Sequence, residues 1–453
     1  MGLSWKDRDF YRTMIAIALP ITLQNLIASS VNMLDTLMIT SLGEKNLAAV
    51  GLANQVFFFY GVTIFGIATG SSIFIAQFWG KRDTTNIRKV LGLSLSVGSV
   101  IGIIFTLAAL FIPKEIMQIF SSDREVIRLG VEYLRIVAFT YILTGFSFSY
   151  AVASRSIGQA KMPMVVSIVS FVTNGLFNYL LIFGKFGFSE LGIRGAAYGT
   201  LIARVVELAL ILYSIYSTDG PLAGGIKEMT CWNKSFVKRY FKTTYPVILN
   251  EALWALGTVL YSIAYAKIGT EAAAAVQILN TVQNLFMVMT RGLGNACTVM
   301  VGNKIGAGEE ELAIEYANKY LIISAMLGLG LGIILFFTSD LILKIFRNLT
   351  PELYYISKKL LTVFSIFFFI KAFNGTMIVG VLRGGGDTKF SMLLEMGAVW
   401  FVGVPLAFLG SLVFKLPVYY VMALVYIEEI VKAIIGMFRI ISKKWVTNVV
   451  GDM

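Results

Sequence analysis

Ten Asp, Glu, Lys or Arg side chains lie five or more positions inside the ends of long apolar stretches: Asp35, Glu207, Glu251, Glu395, Glu428, Glu429, Arg204, Arg291, Lys371 and Lys432. A charge in an apolar medium is costly, so each should be paired or in use. Arg204 and Glu207 lie three apart and can neutralise each other on one helical face. Glu428 and Glu429 stand four and three residues before Lys432, with the same explanation. Glu395 is close enough to the end of its stretch to snorkel to an interface. Asp35 has no base near it in sequence. At about 100° per residue, Gln24, Ala28, Asn32 and Asp35 share one helical stripe, and Ser167, Ser170, Asn174 and Asn178 form another. The Asp35 carboxylate, the amides of Asn174 and Asn178 and the hydroxyl of Thr200 offer hard oxygen ligands to a hard cation such as Na⁺. The carboxylate can equally hold a proton.

A second set surrounds Glu251 in the segment NEALWALG. Asn250, Trp254, Gly257 and Tyr261 follow on one face, and Gln277, Asn280, Asn284 and Arg291 make a further stripe with Gln283 beside it. Aromatic and polar groups around a carboxylate suit an organic cation. Glu251 and Lys371 each lie about ten residues from the ends of their stretches, which predicts a shared depth and a shared cleft or salt bridge. Enzyme chemistry finds no footing. There is no histidine, and the two cysteines, Cys231 and Cys297, cannot build a disulfide framework or a thiolate cage. The R-x-x-G motifs at Arg155 and Arg383 lack the strand–loop–helix setting and GK[ST] ending of a phosphate loop, so a topological or gating role is expected for them. No nucleotide-binding domain is apparent, and no cofactor is expected beyond a coupling Na⁺ or H⁺.

The elements that carry these residues are membrane helices. Of 453 residues, 57% are hydrophobic and only 14% charged, too few charges for a water-facing surface. Twelve stretches are long enough to span a bilayer, at roughly 14–41, 46–79, 89–112, 131–154, 162–184, 192–217, 240–267, 271–303, 316–338, 355–381, 390–413 and 417–442. The first is too long for a signal-peptide core and should persist as a membrane helix. Of 38 Lys and Arg, 21 fall in the connections on the N-terminal side, Lys6, Arg155 and Arg383 among them, and 13 on the other side. That bias predicts cytoplasmic termini. The net charge of +12 is therefore a topology signal with lipid contact as its by-product, and nucleic acid is not an expected partner. Read this way, Asp35, Asn174, Asn178 and Thr200 all lie about 9–15 Å below the outer surface.

The chain also repeats itself. At an offset of 226, Pro20 matches Pro246, Gly43 matches Gly269, Ala48-Ala49-Val50 matches Ala274-Ala275-Val276, and Gly80 matches Gly306. Further on, RSIGQAK at 155–161 matches RGGGDTK at 383–389. Each unit holds six spans, an even number, so the repeat is parallel. The expected architecture is all-α: a six-helix bundle at 1–217, a cytoplasmic linker at 218–239 and a second six-helix bundle at 240–453, around a central cleft. Pro20 and Pro246 lie inside matching helices and break a backbone hydrogen bond there, a paired bend suited to rocking.

In this arrangement the chain resembles the multidrug and toxic compound extrusion (MATE) family of secondary transporters. The resemblance covers nearly the whole chain. It is carried by LPITLQNLIASSVNMLDTLMI, NLAAVGLA, RSIGQAKMP, GIRGAAYGT, IGAGEEELA and VLRGGGDTK in their order and repeat spacing. It implies an antiporter in the cell membrane that exports organic, often cationic, compounds in exchange for Na⁺ or H⁺, acting as a monomer. It also places a cation or proton site on the positions of Asp35, Asn174, Asn178 and Thr200. Some relatives carry an acid where this chain has Asn178, so the resemblance allows either ion. Others add an Asp in the tenth span, where this chain has Lys371 and Asn374. A lipid-linked oligosaccharide flippase of the same superfamily is the alternative reading; it should line its cleft with several Arg or Lys.

Overall fold

A computed structural model describes residues 7–346 and 349–451, so Lys6 and the two terminal methionines lie outside the described residues. The described chain is almost wholly helical. This follows from the solvent: in hydrocarbon every backbone N–H and C=O must find its partner within the segment. In the first half, α1 (Arg8–Thr40), α2 (Glu44–Gly80), α3 (Thr84–Phe111), α5 (Arg124–Ser156), α6 (Lys161–Phe183) and α7 (Ile193–Tyr216) are the spans, with short α4 (Pro113–Phe120) and α8 (Ile226–Thr230) outside them. The second half has α9 (Lys234–Ala266), α10 (Thr270–Gly306), α11 (Glu310–Leu343) and α12 (Pro351–Gly375), the last running on as a π-helical stretch, Thr376–Arg383. The eleventh span alternates α13 (Thr388–Ala398), a π turn, α14 (Val404–Phe408) and a second π turn. The twelfth is broken at Tyr426 into α15 (Val418–Val425) and α16 (Ile427–Ile441). Among the described residues eleven helices are individually long and apolar enough to cross a membrane, and α15 with α16 supplies the twelfth crossing.

Several spans exceed their expected limits. A helix of 33 residues such as α1 is about 50 Å long against about 30 Å of hydrocarbon. Polar ends such as Arg124–Gly130 of α5 therefore belong to the helix although they lack the look of a span. Helix starts carry ordinary caps: Asp83 accepts the Asn86 N–H, Asp123 those of Glu125 and Val126, and Thr350 that of Leu353.

The repeat is legible in the turns. Leu47 N–H donates to Gly43 O, and its counterpart Ala273 N–H to Gly269 O; Asp83 N–H donates to Phe78 O, and Glu309 N–H to Lys304 O. Two compact units result. One comprises residues 19–79 and 83–241; the other comprises the described residues 7–18, 80–82 and 242–451. The first turns of α1 and of α9 thus fall in a different unit from the rest of each helix. Residues 8–18 of α1 belong to the second unit, where Phe10 packs edge-on against Tyr316 and Tyr320. Asp7 there accepts from the fully buried Lys319 at 3.3 Å. Residues 234–241 of α9 belong to the first unit, where Tyr240 stacks on Phe74 and shares a 2.7 Å hydrogen bond with Ser71. Pro20 and Pro246 lie inside α1 and α9, a few residues beyond these crossing points. The linker packs on α3: Arg88 donates to Pro221 O and pairs with Glu228 at 3.0 Å.

Candidate functional site

In the first unit α1 and α6 are stitched at two levels. Gln24 Nε2 donates to Ser167 Oγ at 3.0 Å, and Asn178 Nδ2 donates to Asp35 Oδ1 at 2.6 Å. Both steps are eleven residues along parallel helices, about 16 Å, so the two polar stripes meet face to face. Asn178 is fully buried and Asn174 nearly so. The Asn178 amide also donates to Asn174 Oδ1 at 3.3 Å, while its own Oδ1 is buried without a partner. Thr200 on α7 turns its hydroxyl to Ala196 O in its own helix and meets the enclosed Tyr133 of α5, which lies within electrostatic reach of Asp35. Asp35, Asn174 and Asn178 therefore form one cluster, with Thr200 at its edge. Gly199 makes the approach of α7 possible, since a Cβ there would fall 2.1 Å from Asn178 Oδ1.

The charges around this cluster do not balance. Arg204 acts on Asp35 through space, but its guanidinium is held by Glu207 at 2.6 Å, as the sequence spacing predicts. Ser170 supports the same carboxylate at 3.3 Å. Two acids therefore share one base. The uncompensated charge rests on Asp35, beside a buried amide oxygen that lacks a donor.

The second unit departs from expectation. Glu251 is bound at 2.7 Å by Arg383, whose other terminal nitrogen reaches Glu395 at 3.2 Å. Asn250 donates to Glu395 at 2.7 Å. Lys371 belongs to a different cluster: it lies 3.5 Å from Glu429, and Lys432 pairs with Glu428 at 3.2 Å and Glu429 at 3.4 Å. Asn374 donates to Glu429, and the Tyr261 hydroxyl donates to Glu428. The expected Glu251–Lys371 pair is thus corrected. Matched depth fixes height along two helices and leaves the facing direction open. Arg383, read as a loop residue, is only 2% exposed, because the π-helical stretch carries the helix through to it. Glu395, read as snorkelling, is held inside by Arg383 and Asn250.

The remaining second-unit candidates take two roles. Asn250 is buried and Tyr261 engaged, whereas Trp254 is 40% exposed. On α10, Gln277 and Asn284 are exposed, Asn280 and Gln283 half-buried, and Arg291 reaches Asn284 at 3.5 Å. Sequence reasoning missed Arg383, Gly199 and Tyr133 as site residues. The repeat held a usable signal for the first of these, since Arg383 aligns with Arg155 and both close long apolar stretches.

A family model described as MatE matches residues 20–180 and again 246–409, once in each repeat. The chain belongs to the MATE family of membrane transporters. It is 26% identical over 441 residues to a probable multidrug resistance protein NorM of Thermotoga maritima, covering 96% of this chain and 93% of the relative. A probable multidrug resistance protein YoeA of Bacillus subtilis is 25% identical, covering 90% and 88%. Among solved structures, a MOP superfamily transporter from Pyrococcus furiosus matches with a TM-score of 0.85 at 20% identity, over 95% of this chain and 96% of the other. A MATE structure in the bent conformation matches with a TM-score of 0.87, also at 20% identity, over 96% of each. These last two show the shared fold: a MATE-type bundle of twelve membrane-crossing helices in two repeats.

Proposed function

We propose that this chain is a secondary antiporter of the cell membrane that exports organic, chiefly cationic, compounds in exchange for Na⁺ or H⁺. The single observation that carries the coupling half is the charge deficit on Asp35 beside the unpartnered Asn178 Oδ1. One monovalent cation or one proton neutralises it. Asp35, Asn178 and Asn174 hold the ion, with Thr200 a further oxygen at the edge. The efflux half is supported by the two relatives described as probable multidrug resistance proteins, which also speak against the flippase. The exposed Trp254, Gln277 and Asn284 offer an aromatic and polar face to an organic cation. The lysine and arginine bias supports cytoplasmic termini. The protein acts as a monomer in this reading.

Coupling requires that the ion bind one conformation better than the other, because only differential affinity shifts an equilibrium. The test uses purified protein in proteoliposomes loaded with ethidium, driven separately by a Na⁺ gradient and by a proton gradient. Asp35→Asn keeps the volume and removes the charge. It should insert and fold, yet lose gradient-driven export. Asn178→Ala should weaken a Na⁺-driven flux more than a proton-driven one, since a proton needs only the carboxylate. Undiminished gradient-driven export by well-inserted Asp35→Asn would sink the assignment.

A further inference from the structure

The turn after α5 and the turn after the π-helical stretch of α12 are the same structure. Gly158 and Gly386 have φ of 82° and 88°, a left-handed conformation that favours glycine. Gly158 N–H donates to Arg155 O and Gln159 N–H to Ser154 O; Gly386 N–H donates to Arg383 O and Asp387 N–H to Leu382 O. Arg155 and Arg383 therefore hold the same place in their units. The same register sets Gln24, Asn25 and Ser167 against Asn250, Glu251 and Glu395, and Gln159 against Asp387. The Gln24–Ser167 hydrogen bond is the counterpart of Asn250–Glu395.

Chemistry differs where geometry agrees. In the second unit three of these positions are carboxylates. Glu251 and Glu395 receive the Arg383 guanidinium, and Asp387 receives Arg439 at 2.7 Å. In the first unit all three are neutral: Asn25, Ser167 and Gln159. Arg155 keeps the guanidinium and has lost both acceptors. Among the described residues no hydrogen bond or ion pair reaches it. Its Nε is shielded from solvent without a partner, and only the Phe148 ring lies over it, 5.9 Å away. Gln24 Oε1 is a second buried atom left unpaired. The two turns also differ in cover. Gly385 lies against Trp445, where a Cβ would fall 2.3 Å from the ring, and its carbonyl accepts the Thr447 N–H. Gly158 and Gln159 are exposed.

We propose that Arg155 anchors an oxyanion site at the α5–α6 turn. The site takes from outside the chain the carboxylate or phosphate oxygens that Glu251 and Glu395 provide within the second unit. A guanidinium presents a planar fork that such oxygens match two at a time. Arg155 is partly exposed, with its Nε buried and unpaired, so an incoming oxyanion can reach the guanidinium and satisfy that nitrogen, and the C-terminal end of α5 offsets only part of its charge. The ligand is either the phosphate of an anionic lipid headgroup or a soluble oxyanion.

The test measures thermal melting of the purified full-length protein in neutral detergent at constant ionic strength. Inorganic phosphate, phosphatidylglycerol in mixed micelles and phosphatidylcholine in mixed micelles are titrated separately. A saturable rise with phosphatidylglycerol alone assigns a lipid headgroup, and a rise with phosphate as well assigns a soluble oxyanion. In either case Arg155→Gln should weaken the apparent affinity by about tenfold or more, with Arg155→Lys between. Should Arg155→Gln fold poorly, Asn25→Glu decides: it rebuilds the internal acid found at Glu251, and should abolish the response while raising the melting temperature without added anion. No saturable response, an equal response to phosphatidylcholine, or an unchanged response in Arg155→Gln or Asn25→Glu overturns the proposal.

Discussion

Replacing Arg383 by glutamine tests the second-unit network directly. The side chain is 2% exposed and bridges Glu251 at 2.7 Å and Glu395 at 3.2 Å. Its removal leaves two largely shielded carboxylates without their shared cation, with Asn250 still donating to one of them. Removing one partner of a buried ion pair costs roughly 3–5 kcal/mol. For a cooperative unit of about 200 residues, each kcal/mol moves the melting temperature by about 2–4 °C. The expected fall is therefore roughly 6–20 °C, read by fluorescence-detected melting in detergent. Adding Glu251→Gln to Arg383→Gln should recover part of it, because the carboxylate repulsion disappears. The cycle should show a coupling of about 1–3 kcal/mol. The parallel cycle between Glu251→Gln and Lys371→Met should be additive, since Lys371 serves Glu429. An Arg383→Gln protein melting within about 2 °C of the parent, or an additive Glu251–Arg383 cycle, would refute the reasoning.

Other outcomes follow from the same geometry. Gly199→Ala places a Cβ 2.1 Å from Asn178 Oδ1, so the amide must leave Asp35; stability should fall by about 1–3 kcal/mol and gradient-driven export should drop, whereas Gly158→Ala should spare export. Asp7 accepts the Phe10 N–H, and beside Lys319 its carboxyl is held below the usual range. Its stabilisation is therefore present at neutral pH and lost as pH falls below about 4 through the lowered value, and melting curves of Asp7→Asn should lack that acid step. An impermeant maleimide should label Glu115→Cys in intact cells but leave the exposed Cys231 protected until the membrane is opened; the reverse pattern would invert the proposed orientation.

The spans, their number and the repeat were legible because hydrocarbon forces each onto the chain as a long apolar run. The meeting of Asp35 with Asn178 was also legible, because two polar stripes in lipid have few places to go except each other. Three features were hidden. The outer turns of α5 are polar, so hydropathy ends the span before the helix ends. The break at Tyr426 leaves a continuous apolar sequence, since Val425, Tyr426 and Ile427 suit a helix equally well. The partner of Glu251 depends on the direction a side chain faces, and the π-helical stretch before Arg383 alters the residues per turn that any periodic reading assumes. Neither direction nor π turns are written in hydrophobic spacing.

The two repeats keep the same connecting turns and distribute charge differently, and this bears on where an ion would act. In the second unit Glu251, Glu395, Glu428 and Glu429 face Arg383, Lys371 and Lys432. Arg291 also acts on Glu251 through space, so four acids meet four bases in a network that Asn250, Asn374 and Tyr261 further satisfy. The counterpart of Asp35 there is Tyr261, a neutral group already donating. In the first unit a surplus charge rests on one carboxylate with one amide donor. An uncompensated carboxylate binds a cation more strongly than a balanced network, because desolvation and Coulomb attraction act at a single point. The proposed ion therefore belongs at Asp35. That residue sits on α1, the helix whose residues 8–18 pack in the other unit. Pro20 lies inside the same helix, where the backbone lacks one donor. In the proposed reading, ion binding at Asp35 acts first on α1, and the missing donor at Pro20 is where that helix bends most readily.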